Sequence, residues 1–213
     1  GSNDVISDAE VISLAYNAYR LLGLDNVCVR LNTLGDDESR NNYREALVNY
    51  FRPHIDSLCE DCKNRLEKNP LRILDCKVDA ENEIMASSPK ILDYLNEESK
   101  QRFESLCELL DLMDINYEVD PRLVRGLDYY NHTVFEITLN NSYALGGGGR
   151  YNSLVETLGG PSVPGLGFAM GYDRTILAME EEGVKIPVND SIDVYLLYVT
   201  NSEKETACYL AQD

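Results

Sequence analysis

Within about fifty residues this chain carries three segments that join glycine to arginine. They are Arg125-Gly126-Leu127-Asp128-Tyr129-Tyr130, Gly146-Gly147-Gly148-Gly149-Arg150-Tyr151, and Gly165-Leu166-Gly167-Phe168-Ala169-Met170-Gly171-Tyr172-Asp173-Arg174. Glycine lets a backbone or a ligand approach closely, and arginine reads phosphate and carboxylate. A fold that gathers the three segments has the makings of a site for a charged small molecule. Four consecutive glycines are poor strand interior on propensity grounds, so 146–149 reads as a flexible hairpin return or as a bare wall for a ligand. It is not a P-loop, because the Gly-Lys-Ser/Thr ending is missing, and no strand–helix unit frames it as a dinucleotide fingerprint.

Each segment offers a chemistry. Arg125 leaves a strand and presents a permanent charge with a planar donor fork, suited to phosphate or carboxylate. The competing role is an ion pair with Asp128 or Glu136. Tyr129 and Tyr130 point to opposite faces if extended, one toward core and one toward a ligand. A tyrosine hydroxyl both donates and accepts, which matches a neutral imidazole among other groups. Arg174 falls in the first turn of a helix after a small-residue strand, where anions are attracted.

Composition narrows the partners. The formal net charge is −18 over 213 residues, which argues against broad nucleic-acid binding but not against a local contact. Lys63, Arg65, Lys68, Arg72 and Lys77 cluster against only Glu67 and Asp75. This stretch is either a solvated helix face or a phosphate contact surface. No signal peptide or membrane-length apolar run is seen, so a cytoplasmic protein without membrane contact is expected. The six cysteines are expected to be reduced. Cys59-x-x-Cys62 with Cys76 resembles part of a zinc site, but a fourth ligand at the usual spacing is missing. Core or surface thiols are expected there, and no metal.

Along the chain, Ser7-Asp8-Ala9-Glu10 reads as a capping box opening a helix that Gly23 stops. Val27 to Thr33 reads as a half-buried strand. Residues 36–94 are mostly helical and polar, and Asn96 caps a further helix with Phe103, Leu106, Leu109, Leu110 and Met113 on one face. From Ile115 strands take over, with 115–119 and 132–139 alternating and a turn at Asn140-Asn141-Ser142. Pro187 to Ser191 reads as a linker and Ile192 to Val199 as a fully buried strand, followed by a helix capped at Ser202-Glu203-Lys204-Glu205. A strand and a helix alone cannot bury a core, so the chain is expected to be incomplete.

Arg125–Tyr130 with Thr133-Val134-Phe135-Glu136, Gly147–Tyr151 and Gly165–Arg174 resemble the two histidine-specific motifs and motif 3 of histidyl-tRNA synthetases, class II enzymes. Asn69-Pro70-Leu71-Arg72-Ile73-Leu74-Asp75 and Leu92-Asp93-Tyr94-Leu95 extend the resemblance over essentially the whole chain, and bacterial-type members are most similar. The resemblance implies an α+β fold, an antiparallel sheet flanked by helices. Residues 1–35 and 119–187 would belong to the catalytic domain and 36–118 to a helical insertion. Residues 188–213 would hold a linker and the start of an α/β anticodon-binding domain. It also implies ATP-driven activation of L-histidine, transfer to histidine tRNA, Mg2+ accompanying ATP, and a homodimer as the intact protein. Arg125 would be catalytic, facing the α-phosphate and the attacking carboxylate. Tyr129, Tyr130, Gly148 and Tyr151 would line the histidine pocket, and Gly171 and Arg174 would hold ATP. Lys63, Arg65, Lys68 and Arg72 would contact tRNA.

Motifs 1 and 2 of the family precede the first residue here, so this piece alone is expected to be inactive. Asn152 stands for a usual aspartate, Tyr172-Asp173 for a usual Leu-Glu, and the hairpin after Phe135 is short. The competing reading is a histidine-sensing, synthetase-like regulatory subunit of ATP phosphoribosyltransferase. Against it stand the intact Arg125–Tyr130 block and the large insertion.

Overall fold

A computed structural model describes residues 1–140, 142–186 and 191–211. Its centre is a five-stranded sheet in the order β2-β1-β3-β4-β5, built from β1 (Val27–Thr33), β2 (Tyr117–Val119), β3 (Asn131–Leu139), β4 (Ala144–Arg150) and β5 (Leu166–Met170). The β1–β2 pair is parallel and every other pair antiparallel. The expected mixed α+β class with a helix-flanked sheet is what the chain adopts.

The helices are α1 (Val5–Leu21), α2 (Asp37–Phe51), α3 (Glu60–Lys68), α4 (Glu83–Ala86), α5 (Glu97–Leu112), α6 (Leu154–Thr157), α7 (Tyr172–Glu181) and α8 (Lys204–Leu210). Short 3₁₀ turns cover Arg52–Ser57, Pro70–Ile73 and Ile91–Tyr94. No helix among the described residues is long and apolar enough to cross a membrane.

Two apolar clusters lie on the two faces of the sheet. On one face Ile12, Tyr16 and Tyr19 of α1 and Phe103, Leu106 and Leu110 of α5 pack on Val29, Leu31, Phe135 and Ile137. On the other, Tyr43, Leu47 and Phe51 of α2 join Cys62, Leu66, Leu71 and Ile73, and this cluster takes in Val124, Tyr130 and Val134. The two clusters make β1 a fully covered strand, buried everywhere except at Arg30, rather than the half-buried one expected. They also divide the 36–118 stretch. Residues up to Tyr94 build the second cluster, whereas α5 packs on α1 and β2 pairs with β1.

Three local readings need correction. Helix α1 starts earlier than expected, because the Asp4 side chain accepts from the Ile6 N–H at 2.9 Å and supplies the cap. Ser7 therefore lies inside the helix. The glycine run is not a hairpin return but most of β4, the strand between β3 and β5. The expected turn at Asn141 and the linker over 187–190 lie outside the described residues. Finally, Ile192 to Val199 forms no strand, and Ile192, Val194, Tyr195 and Val199 are exposed. A strand draws its backbone hydrogen bonds from a neighbour, and no described strand pairs with this segment.

The early start of α1 turns Asp8 inward. Its carboxylate accepts from Arg150 Nε at 3.0 Å and Nη2 at 2.6 Å, and from Arg102 Nη2 at 2.6 Å. Asp8 and Arg150 are fully buried. Removing one member of such a set leaves an uncompensated interior charge, which costs about 3–5 kcal/mol. Asp8→Ala should lower the unfolding free energy by about that amount in urea titration. Replacing Asp8 and Arg150 together with apolar residues of similar volume should recover most of it.

Candidate functional site

The polar part of the second face holds the site. In an antiparallel pair, residues directly opposite share a face. Arg30 of β1 stands opposite Glu136 of β3, Glu136 opposite Gly147 of β4, and Gly147 opposite Ala169 of β5. The next row runs from Asn32 through Val134 and Gly149 to Gly167. The first row is charged at one end and bare at the other. A side chain laid across that end meets glycine backbone and the Ala169 methyl.

Arg125 occupies that place. A Cβ on Gly147 would come within 2.6 Å of the Phe135 carbonyl oxygen and 3.1 Å of Arg125 Nη1, so the glycine accommodates both the neighbouring strand and the guanidinium. Arg125 Nη1 is paired with Glu136, the partner foreseen as its competing role, while its buried Nε has no partner. The charge is thus steadied without filling the donor fork. Glu136 also lines a cavity of about 250 Å³ with Arg30 and Asp120, which themselves form an ion pair.

One step along β4, a Cβ on Gly149 would meet Tyr130 Cδ1 at 2.9 Å. Tyr130 is buried and Tyr129 half-buried. Their rings lie 4.7 Å apart, and each meets the Tyr151 ring, at 5.9 Å from Tyr129 and 6.3 Å from Tyr130. The two do not alternate, because 128–129 form a turn rather than extended chain, and only Tyr130 of the pair is core. Burial first, then Tyr129, raises the Tyr130 hydroxyl above its ordinary range. It is therefore a neutral donor and acceptor near pH 7.

Glycines 147 and 149 face Arg125 and Tyr130. Gly148 faces away, and a Cβ there would strike the Gly167 carbonyl and Phe168 of β5. Gly147 and Gly149 were not singled out from sequence; strand alternation, once the run is read as a strand, would have found them. The Tyr151 ring lies over Gly165, and its hydroxyl would be 3.0 Å from a Cβ on Gly167.

Arg174 stands exposed in the first turn of α7, and its Nη1 donates to the Ala144 carbonyl at 2.8 Å. Gly171 precedes that helix, where a Cβ would press on the Leu145 carbonyl at 2.9 Å. Two guanidinium groups therefore touch β4 three residues apart, roughly 10 Å along the strand. The third arginine of the motif segments, Arg150, is fully buried against Asp8 and reads no ligand.

The Gly126–Tyr130 loop is held from the helical side. Arg72 Nη1 donates to the Gly126 carbonyl at 2.7 Å, and Asn69 Nδ2 donates to the Asp128 carboxylate. Arg40 donates to the carbonyls of Asp128 at 2.9 Å and Tyr130 at 3.2 Å. Sequence reading missed Arg40 and Asn69 and gave Arg72 a different partner. Of the other basic candidates, Lys63 pairs with Glu60 at 2.7 Å and Arg65 donates to the Arg72 carbonyl at 2.9 Å. Lys68 stands exposed.

A sequence profile described as histidyl-tRNA synthetase matches residues 1–175. A histidine–tRNA ligase from Bacillus cytotoxicus is 51% identical over 218 aligned positions, covering 100% of this chain and 52% of that protein. The crystal structure of apo S. aureus histidyl-tRNA synthetase superposes with a TM-score of 0.72 at 39% identity, over 100% of this chain and 53% of that one. An ATP phosphoribosyltransferase regulatory subunit/histidyl-tRNA synthetase from Bacillus halodurans C superposes with a TM-score of 0.52 at 21% identity, over 84% of this chain and 50% of that one, which is likeness of fold alone. The chain spans about half the length of the curated relatives it matches. On the strength of the profile match and the whole-chain identity, it belongs to the histidyl-tRNA synthetase family.

Proposed function

We propose that this chain carries the amino-acid pocket and part of the ATP site of a histidine–tRNA ligase. The observation that carries the reading is the arrangement on β4. One guanidinium lies on glycine backbone, a buried tyrosine lies beside it, and a second guanidinium stands three residues away. This suits an amino acid joined to a nucleotide.

In the first step the histidine carboxylate attacks the α-phosphorus of ATP, a new O–P bond forms, and pyrophosphate leaves. In the second, the 3′ hydroxyl of the tRNA attacks the activated carbonyl and AMP leaves. Arg125 is the catalytic residue, compensating the negative charge that builds at the α-phosphorus. Glu136 holds one terminal nitrogen of the Arg125 fork and keeps the guanidinium aimed. Tyr130 and Tyr129 contact the imidazole, with Tyr151, Gly147 and Gly149 as walls and Gly148 holding β5 close behind. Imidazole analogues without ring nitrogens are rejected because they leave buried polar groups unpaired. Arg174 takes the γ-phosphate and Gly171 lets adenine lie flat. Mg2+ accompanying ATP would be held chiefly by the phosphate oxygens, as is usual for this cation.

The helical part, from residue 36 to about Tyr94, is read as the insertion that meets tRNA, and residues 191–211 as leading into an anticodon-binding domain. The intact protein is read as a homodimer. The regulatory-subunit reading has less support. Relatives near 50% identity carry ligase names, whereas the structure with the regulatory title shares only the fold.

Histidine-dependent ATP–pyrophosphate exchange by the full-length protein tests the reading, and exchange driven equally by other amino acids would sink it. Arg125→Ala should lower that exchange by a factor of roughly 100–1000, as loss of one electrostatic stabiliser does. Near-normal exchange would remove its role. Lys68→Glu should raise the KM for tRNA and leave exchange unchanged, because an exposed cation contributes to phosphate binding alone. An unchanged KM would make Lys68 part of a solvated face.

A further inference from the structure

The thiol group set aside from sequence has its missing fourth member. Cys59, Cys62, Cys76 and Asp79 bring one ligand atom each to within 4.8 Å of one another, the one such grouping found among the described residues. Asp79 follows Cys76 at the interval by which Cys62 follows Cys59, giving Cys-x2-Cys-x13-Cys-x2-Asp.

We propose that these four residues form a tetrahedral zinc site that staples the insertion. The Cys59 and Cys76 sulfurs are 3.7 Å apart. Two thiolates on a tetrahedral zinc, each about 2.3 Å from the metal, stand about 3.8 Å apart. The separation is too long for a disulfide, and all six cysteines are free. Cys62, Cys76 and Asp79 are buried while Cys59 is half-buried, so the site is shielded with one side toward solvent. Three sulfurs and one carboxylate oxygen suit zinc rather than calcium or magnesium, which take oxygen. The Asp79 carboxylate is already oriented, since the Cys59 N–H donates to its two oxygens at 3.3 and 3.1 Å. Fixing a ligand through its outer hydrogen bonds is the usual support of a metal site.

The surrounding fold has use for such a staple. Between Phe51 and Asn96 the longest regular element is the nine-residue α3, and the rest are turns of four to six residues. Elements this short are marginal on their own, and small units of this kind are commonly held by a metal. The four ligands tie the start of α3 to the chain leaving the Pro70–Ile73 turn. Asn69 and Arg72, which hold the Gly126–Tyr130 loop, lie on the segment enclosed between Cys62 and Cys76.

The test is metal content of the full-length protein, expressed with zinc supplied and purified under reducing, chelator-free conditions. About one zinc per chain is expected by elemental analysis, dropping to background in Cys76→Ser and Asp79→Ala and unchanged in Cys107→Ser. Because these variants could fail to fold, the unsubstituted protein is also stripped and loaded with Co2+ alone. Thiolate-to-cobalt charge transfer with the intense visible bands of tetrahedral cobalt is expected, bleached by added zinc. Zinc at background together with cobalt spectra lacking thiolate bands overturns the proposal. So does an intact mass showing Cys59 and Cys76 oxidised to a disulfide in freshly isolated, metal-free protein.

Discussion

The Asp8 carboxylate is the point at which three separate parts of this chain meet. Arg150 closes the end of β4, Arg102 reaches in from α5, and α1 supplies the acid. Two cations on one buried acid are tolerable only because every contact is a close, charge-assisted hydrogen bond. Arg150 also donates to the Ser2 carbonyl at 2.7 Å, so the first residues are held as well. With that end of β4 fixed, the glycines preceding Arg150 have a set register against β3 and β5, and the residues laid over them have a fixed floor.

That floor explains the division of labour among similar residues. Three arginines occur in the motif segments, yet their environments separate them. Arg150 is consumed by structure, Arg125 is half-engaged with Glu136, and Arg174 spends one donor on a carbonyl. The tyrosines divide likewise, with Tyr130 sunk into the second cluster and Tyr129 and Tyr151 packed at its margin. Polar face and apolar cluster share Tyr130, so site geometry and insertion packing are one problem for the chain.

Much of this was legible. The strand β3, the small-residue β5 and the Asn96 cap of α5 follow from local pattern, and the motif order pointed to the family. The failures have physical causes. Glycine propensity argued against β4, but close approach of neighbouring strands and of Arg125 outweighs it. Asp8 looked like part of a cap because its partner lies 142 residues away. Whether Tyr129 and Tyr130 are extended was left open by the sequence, and a turn brings them together. Asp79 escaped notice because carboxylates are too common to stand out without geometry.

Arg40, Asn69 and Arg72 give the helical part a mechanical consequence. They grip carbonyls and a carboxylate across the Gly126–Tyr130 segment from two separate elements. A displacement of that layer either drags the segment along or breaks several hydrogen bonds at once. The loop that carries the tyrosine rings is thus anchored to the outer layer through side chains far from it in sequence.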